Sequence, residues 1–363
     1  MGSIENHITP NLSEEDEACL QAMLLSSTHI FPFVLNAAIE LDLFSIIAGA
    51  GPGPAACMTL SEIASQLPTQ DSDAPSRLDR MLRLLTSHSL LTCSIHTLED
   101  GRVERLYGLT PTGHFFLEKE DEGSIASFSA LTCHRAPVEV GMHMKDAILE
   151  GNQFKKVHGM SMYQYMDKVP TFNKMFNKTM ADLSTIIMKK ILEVYQGFEG
   201  LTSLVDVGGG TAKCLSMIIS KYPSIKGINF DLPHVTQSAP SYLGIEHVGG
   251  DMFHNIPKGD AIMLKNTLHN WTDEKCMILL RNCYASLPNN GKVIIIELLM
   301  PEAPESSMAS KYVSQLDNAM LLNHDGQERT EKEFEALCKG SGFSSFQVVS
   351  CACTLWVVME FHK

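Results

Sequence analysis

The sequence predicts an α/β chain in two parts: a C-terminal half built on an open, mostly parallel sheet, preceded by a mainly helical region. Three observations carry this. The stretch 204–221, LVDVGGGTAKCLSMIISK, reads as strand, glycine turn and helix: Gly208, Gly209 and Gly210 turn the backbone, and Leu215, Ile218 and Ile219 recur at helical spacing. Short apolar runs that end in charged residues then alternate with helical patterns to the C-terminus. Before residue 196, helical periodicity is broken by little more than one hairpin signal. At 363 residues the chain has room for two cores.

Local signals set the elements in order. Residues 1–16 are polar and acidic, an expected disordered lead-in with neither a secretory nor an organellar targeting pattern. Two apolar helical patterns run from Ala18 to Ile47 with a break at Pro32, and so much apolar surface is either core or a partner-subunit face. The run Gly51-Pro52-Gly53-Pro54 reads as a loop. Thr59-Leu60-Ser61-Glu62 has the form of a capping box for a short helix closed by Pro68. A helix over 75–89 turns Leu78, Met81, Leu82, Leu84 and Leu85 inward, and alternation on both sides of Asp100-Gly101 marks a hairpin. Helix, helix, hairpin is the shape of a winged helix. DNA binding is one reading of it; a structural or dimer-forming domain is the better one, because acids flank the second helix and only Arg77, Arg80 and Arg83 are basic. Residues 123–195 look helical and methionine-rich, which suits core filling and also pockets for flat ligands. Beyond the glycine turn, strands are expected over 225–230 and up to Asp251, then over 260–265, 292–297, 346–350 and 354–361. Helices over 272–284 and 333–339 fall between them.

Ligands of such sheets bind at the carboxyl ends of the strands, where Asp206, Asp231, Asp251, Lys265, His269 and Glu297 collect. The glycine turn lacks the lysine-serine phosphate clamp of an NTPase loop. Its surrounding acids would repel a pyrophosphate but suit a cationic cofactor with a ribose diol, and S-adenosylmethionine is such a cofactor. Methyl transfer from a sulfonium is an in-line displacement that asks the protein for alignment and a base. His269 near Glu297 reads as an imidazole oriented by a carboxylate, with a satisfied structural histidine as the other reading. A net charge of −14 argues against nucleic acid. No apolar run of about 18 residues predicts a membrane span. Ten cysteines without a C-x-x-C pair point to reduced thiols in the cytosol, and no metal site is expected.

LVDVGGGT, INFDLPHV, EHVGGDMF, the His-x-Trp of LHNWTDE, LPNNGKVIIIE, ERTEKEFE and RLYGLTPTG resemble plant small-molecule O-methyltransferases of the caffeic acid type, from about Met23 to the C-terminus. The resemblance implies a Rossmann-like class I methyltransferase domain over 196–363. A winged-helix-like dimerisation domain would occupy 17–122, and a helical connector lining the acceptor pocket 123–195. It implies that Gly208, Asp231, Asp251, Met252 and Lys265 contact S-adenosyl-L-methionine, that His269 is the base flanked by Glu297 and Glu328, and that Phe172, Phe176, Met180 and Met320 clamp an aromatic or alkaloid-like acceptor. A cytoplasmic homodimer is implied as well. N-methylation of an aromatic amine, or a scaffold that no longer transfers methyl, are the alternatives. Ala212 stands where the pattern has a further glycine, Asn266 where it has Trp, and Asn270 where an Asp commonly follows the histidine. Leu183 replaces a frequent His, and polar residues usual around Leu131 are absent, so the acceptor pocket is expected to favour apolar ligands.

Overall fold

A computed structural model describes residues 13–363 except 52, 54, 55 and 120, and the chain divides into two compact units, Met1–Glu118 and Lys119–Lys363. Within the first, Ser13 accepts from the Asp16 amide while the Asp16 carboxylate takes the Ser13 N–H, so a capping box starts the helix Glu14–Ser27. The expected lead-in is therefore helical from Glu14, and residues 1–12 of it, like Pro52 and Pro54 of the expected loop, lie outside the described residues. The break that follows comes at Thr28-His29, not at Pro32. That proline sits in the first turn of the helix Ile30–Glu40, where a missing N–H costs no hydrogen bond. Helix Glu14–Ser27 buries nothing: Leu20, Met23, Leu24 and Leu25 are 59%, 64%, 55% and 64% exposed. Among the described residues no single helix is long and apolar enough to cross a membrane.

The helices Leu43–Ala48, Leu60–Ser65 and Ala74–Ser87 pack with a three-stranded sheet of β1 (Met58–Thr59), β2 (Leu91–Thr97) and β3 (Val103–Leu109), in the order β1-β3-β2. Thr59 forms the expected capping box with Glu62. Phe44, Ile47, Leu82, Leu85 and Tyr107 fill the core.

The second unit opens with six helices: Ala126–Thr132, Arg135–Gly141, Met144–Glu150, Gln153–His158, Met162–Lys168 and the long Pro170–Val194. Its sheet contains β4 (Ser203–Val207), β5 (Lys226–Asp231), β6 (Ile245–Gly249), β7 (Ala261–Lys265), β8 (Lys292–Leu298), β9 (Ser345–Ala352) and β10 (Trp356–His362). The order is β6-β5-β4-β7-β8-β10-β9. The first five strands run parallel, and β10 is antiparallel to both its neighbours. Strands β4, β7 and β8 read as continuous apolar runs because helices cover both their faces. The strand order reverses between β4 and β7, and a crevice opens beyond the carboxyl ends at such a point. Two helices escaped the sequence reading, Pro233–Ser238 and the 17-residue Met308–His324.

Candidate active site

A cavity of about 630 Å³ opens at that switch point. Its floor is the carboxyl ends of the strands: Asp206 in β4 and Gly208, Gly209 and Gly210 just after it, Asp231 at the end of β5, Asp251 and Met252 after β6, and Lys265 at the end of β7. One wall is the helical segment, through Phe154, Met162, Tyr163, Met166, Phe176 and Met180. The other is formed by Asn266, Thr267, Asn270 and Trp271, with Leu322, Asn323, His324 and Asp325 from the end of helix Met308–His324.

The floor is a cradle for something with donors and positive charge. Gly209 has no room for a side chain: a Cβ there would lie 2.2 Å from Asn229 Oδ1 and 2.8 Å from Asp206 Oδ2. Asp206 Oδ2, on the floor, is a buried acceptor without a hydrogen-bond partner, a costly arrangement unless a ligand supplies the donor; Asn229 Oδ1 is also unpaired but does not line the cavity. Burial pushes the Asp206 carboxyl up to about 7, Lys265 opposing and Asp231 assisting. Asp231 is likewise raised by burial, against the N–H groups of Gly210 (2.9 Å) and Leu232 (2.7 Å) that its carboxylate accepts. Asp251 is held low by the Phe253 N–H at 2.9 Å and by His254 at 2.8 Å. Lys265 Nζ donates to Ser184 Oγ at 3.1 Å and Asn266 Oδ1 at 3.2 Å, beneath the Trp356 ring.

The departures noted in the glycine turn and the histidine segment have structural consequences. Ala212 adopts φ 63° and ψ 19°, left-handed backbone that favours glycine. Asn266 is also left-handed at φ 51°, a conformation asparagine tolerates far better than tryptophan does, and its carbonyl receives Asn270 Nδ2 at 3.0 Å. The two asparagines thus build the turn together.

His269 lies in that turn, buried, beside the cavity wall but not part of it. Its Nδ1 is 2.7 Å from Glu328 Oε1 and 3.7 Å from Glu297 Oε2. Burial works to lower its pKa, but the Glu297 and Glu328 carboxylates prevail and raise it to about 9. Glu297, fully buried, is pushed up by desolvation, although Oε1 accepts the N–H groups of Thr267 (2.8 Å) and Leu268 (2.9 Å). We assign the shared proton to the imidazole, because Nδ1 makes a short bond to a carboxylate oxygen. The three ligand atoms lie within 4.8 Å of one another, a spacing a metal ion could also span. Sequence reasoning passed over Arg329, which is wholly buried and ties the turn down. Its guanidinium donates to Leu268 O (2.9 Å), Trp271 O (2.7 Å) and Asp273 Oδ1 (2.9 Å).

Family models for an O-methyltransferase domain and an O-methyltransferase dimerisation domain match residues 142–344 and 23–119. The chain is 56% identical to a caffeic acid 3-O-methyltransferase of Prunus dulcis and 55% identical to one of Rosa chinensis, each over the whole of both chains. It belongs to the O-methyltransferase family. Its fold matches human N-acetylserotonin methyltransferase in complex with S-adenosylmethionine (TM-score 0.81, 22% identity, 97% of this chain and 99% of that one). It also matches LaPhzM (TM-score 0.77, 26% identity, 95% and 99%). This O-methyltransferase uses S-adenosylmethionine, and the acidic floor of the cradle, with its orphaned Asp206 Oδ2, suits that cation and its ribose. N-methylation and loss of transfer are not favoured.

Of the expected acceptor clamp, Phe176 and Met180 line the cavity of this O-methyltransferase and two residues do not. Phe172 is fully buried behind the wall, edge-on to Tyr165 at 5.4 Å, and Met320 is not among the residues that line the cavity. Leu131 packs with Phe172, and Leu183 belongs to a core cluster under the sheet. The expectation that these two leucines make the pocket apolar is thereby corrected; Met162, Met166 and Leu322 do so instead.

Proposed function

We propose that this O-methyltransferase methylates a phenolic hydroxyl of a flat aromatic acceptor of the caffeic acid kind, with His269 as the base. The reading rests on one observation: a buried imidazole, fixed by two carboxylates, in the turn whose flanks line the cavity. Names of relatives 56% and 55% identical support the acceptor class.

S-adenosylmethionine supplies a methyl group on a sulfonium. Asp231 would accept the ribose hydroxyls, and Asp206, Gly208, Asp251, Met252 and Lys265 would hold the rest of the cofactor. Phe176 and Met180 would grip the acceptor ring together with Met162 and Met166. With Nδ1 held by Glu328, Nε2 of His269 is the nitrogen left to take the acceptor's hydroxyl proton. The imidazolium that results is stabilised by Glu328 and Glu297. Arg329 keeps the turn from shifting as charge develops.

The same proposal gives residues 17–122 a winged-helix-like dimerising role, 123–195 the acceptor pocket and 196–363 the cofactor domain. A homodimer would cover Leu20, Met23, Leu24, Leu25 and the half-exposed Phe33, and ten free cysteines suit a cytoplasmic setting. Incubation with S-adenosylmethionine and caffeic acid should give a monomethylated product and demethylated cofactor in step. His269→Ala should lose on the order of a hundredfold or more in kcat. A variant that keeps most of its activity would remove His269 from the reaction.

A further inference from the structure

The two carboxylates beside His269 have more acceptor capacity than the imidazole uses. Glu297 Oε1 takes the N–H groups of Thr267 and Leu268, which leaves Oε2, 3.7 Å from His269 Nδ1, buried and without a hydrogen-bond partner. Glu328 Oε1 meets Nδ1 at 2.7 Å, and its Oε2 is likewise buried and unpartnered. Glu297 is 0% exposed and Glu328 5%, so bulk water does not satisfy these oxygens. Charge is unbalanced as well. Two carboxylates face one imidazolium, while the cations nearby are engaged by other acids: Arg329 by Asp273 at 2.8 Å, and Lys265 by Asp206. Asp317, whose Oδ1 accepts the Glu328 N–H at 2.8 Å, adds a further acid beside the pair. A buried excess of negative charge with two unused acceptors suits a divalent cation.

The donor set selects the ion. His269, Glu297 and Glu328 each bring one ligand atom within 4.8 Å of the other two. The spacings from Nδ1, 2.7 and 3.7 Å, bracket the roughly 3.3 Å between neighbouring donors of a tetrahedral zinc ion with bonds of about 2.0–2.2 Å. One imidazole nitrogen and two carboxylate oxygens, with a fourth position open, suit zinc; calcium and magnesium ask for more ligands, nearly all of them oxygen. The three residues come from the turn after β7, from β8 and from the segment after helix Met308–His324, so no ligand spacing in the sequence announces them.

We propose that His269, Glu297 and Glu328 bind zinc(II), which takes the place of the proton on Nδ1 and holds the enzyme inactive. For each ion bound, the Nδ1 proton leaves to solvent. The metal-bound imidazole is neutral and keeps its remaining proton on Nε2, the nitrogen that otherwise receives the acceptor's hydroxyl proton. The inhibition rests on the reading of His269 as the base; the metal site rests on the geometry of the three side chains. Those side chains are at most 11% exposed, so zinc should enter slowly and inhibition should develop with time.

The test follows the metal on the full chain. Cobalt(II), a spectroscopic stand-in for zinc, should give the visible bands of a tetrahedral site without a thiolate charge-transfer band, and zinc should displace it. Histidine nitrogen NMR on the wild type should show zinc moving the His269 Nδ1 signal while Nε2 stays protonated. Glu297→Gln and Glu328→Gln should each weaken zinc binding by at least about tenfold. His143→Ala, which removes an exposed histidine paired with Asp146, should leave it unchanged. In turnover, zinc should inhibit with a slow onset that EDTA reverses and that neither excess S-adenosylmethionine nor excess acceptor relieves. An Nδ1 signal that zinc leaves in place, or a cobalt spectrum dominated by thiolate, overturns the proposal even where the buried variants fail to fold, because both measurements use the native protein. Equal zinc affinity in folded Glu297→Gln, Glu328→Gln and wild type overturns it too. Zinc on Nδ1 with turnover intact upholds the site, but overturns the inhibition and with it the reading of His269 as the base.

Discussion

Replacing Glu328 by Gln isolates the electrostatic part of the proposed base. The amide has nearly the shape of the carboxylate, so Nδ1 of His269 can keep a hydrogen bond while the charge 2.7 Å away disappears. In the native protein, burial alone would push the His269 pKa below its ordinary 6.5, yet it stands at about 9. The imidazolium is therefore favoured by roughly 3 kcal/mol beyond its ordinary balance, at about 1.36 kcal/mol per pH unit, and two carboxylates share the effect. The Glu297 charge, with Oε2 at 3.7 Å, raises the pKa most, and Glu328 adds both its charge and a hydrogen bond at 2.7 Å. Its loss should bring the pKa down by more than one unit. Because the base must be neutral to act, the rising limb of kcat/KM against pH should move to lower pH by the same amount. The plateau should fall about tenfold or more, since the imidazolium formed on proton transfer is less stabilised. A pH-rate series on both proteins, with a histidine NMR titration of each, measures this. A rising limb that stays in place would refute the electrostatic assignment.

Arg329→Leu should lower the unfolding free energy by about 3 kcal/mol in a urea titration, because the carbonyls of Leu268 and Trp271 lose a charged donor in the interior. Activity should fall with it even where the protein is fully folded. Ala212→Gly should relieve left-handed strain but lose a buried methyl and add unfolded-chain entropy, so its melting midpoint should move by no more than about 1 kcal/mol equivalent. A larger loss would mean that Ala212 packs to a purpose. Asp231→Asn should raise the dissociation constant for S-adenosylmethionine at least tenfold by calorimetry and leave that for a phenolic acceptor within about twofold; equal effects on both ligands would place Asp231 elsewhere.

The parallel sheet and its floor were legible because each strand carries a local signal: an apolar run, then a charged residue where the strand opens to the crevice. Asp231, Lys265 and Glu297 needed only the period of their own strands to be placed. The far wall gave no such signal. Helix Met308–His324 mixes polar and apolar residues around its circumference and buries only Ser310 and Val313, so periodicity does not announce it. Asn323 and His324 therefore went unassigned, and Met320, placed by motif alone, is not among the residues that line the cavity. Arg329 escaped for another reason: a charged residue in ERTEKEFE reads as solvent-facing, and only the three-dimensional path shows two backbone carbonyls waiting for it. Pro32 shows the reverse error. Its residue type predicts a break, but a proline in the first helical turn is compatible with the helix.

The way Arg329 is anchored sets the proton-transfer apparatus apart from the helical wall of the cavity. Its own backbone carbonyl accepts from Met300 N at 2.9 Å, and an isolated bridge joins it to Leu299, directly after the strand that carries Glu297. The base's turn, the strand of one carboxylate and the segment of the other are thus stitched together by the Arg329 guanidinium and by peptide hydrogen bonds from Met300 N to Arg329 O and from Gln327 N to His269 O. The helical wall of the cavity is drawn from other stretches, the helices Gln153–His158, Met162–Lys168 and Pro170–Val194. Substitutions there can redraw the pocket without disturbing the proton-transfer apparatus. A lineage can then try new acceptors one side chain at a time while its chemistry stays intact.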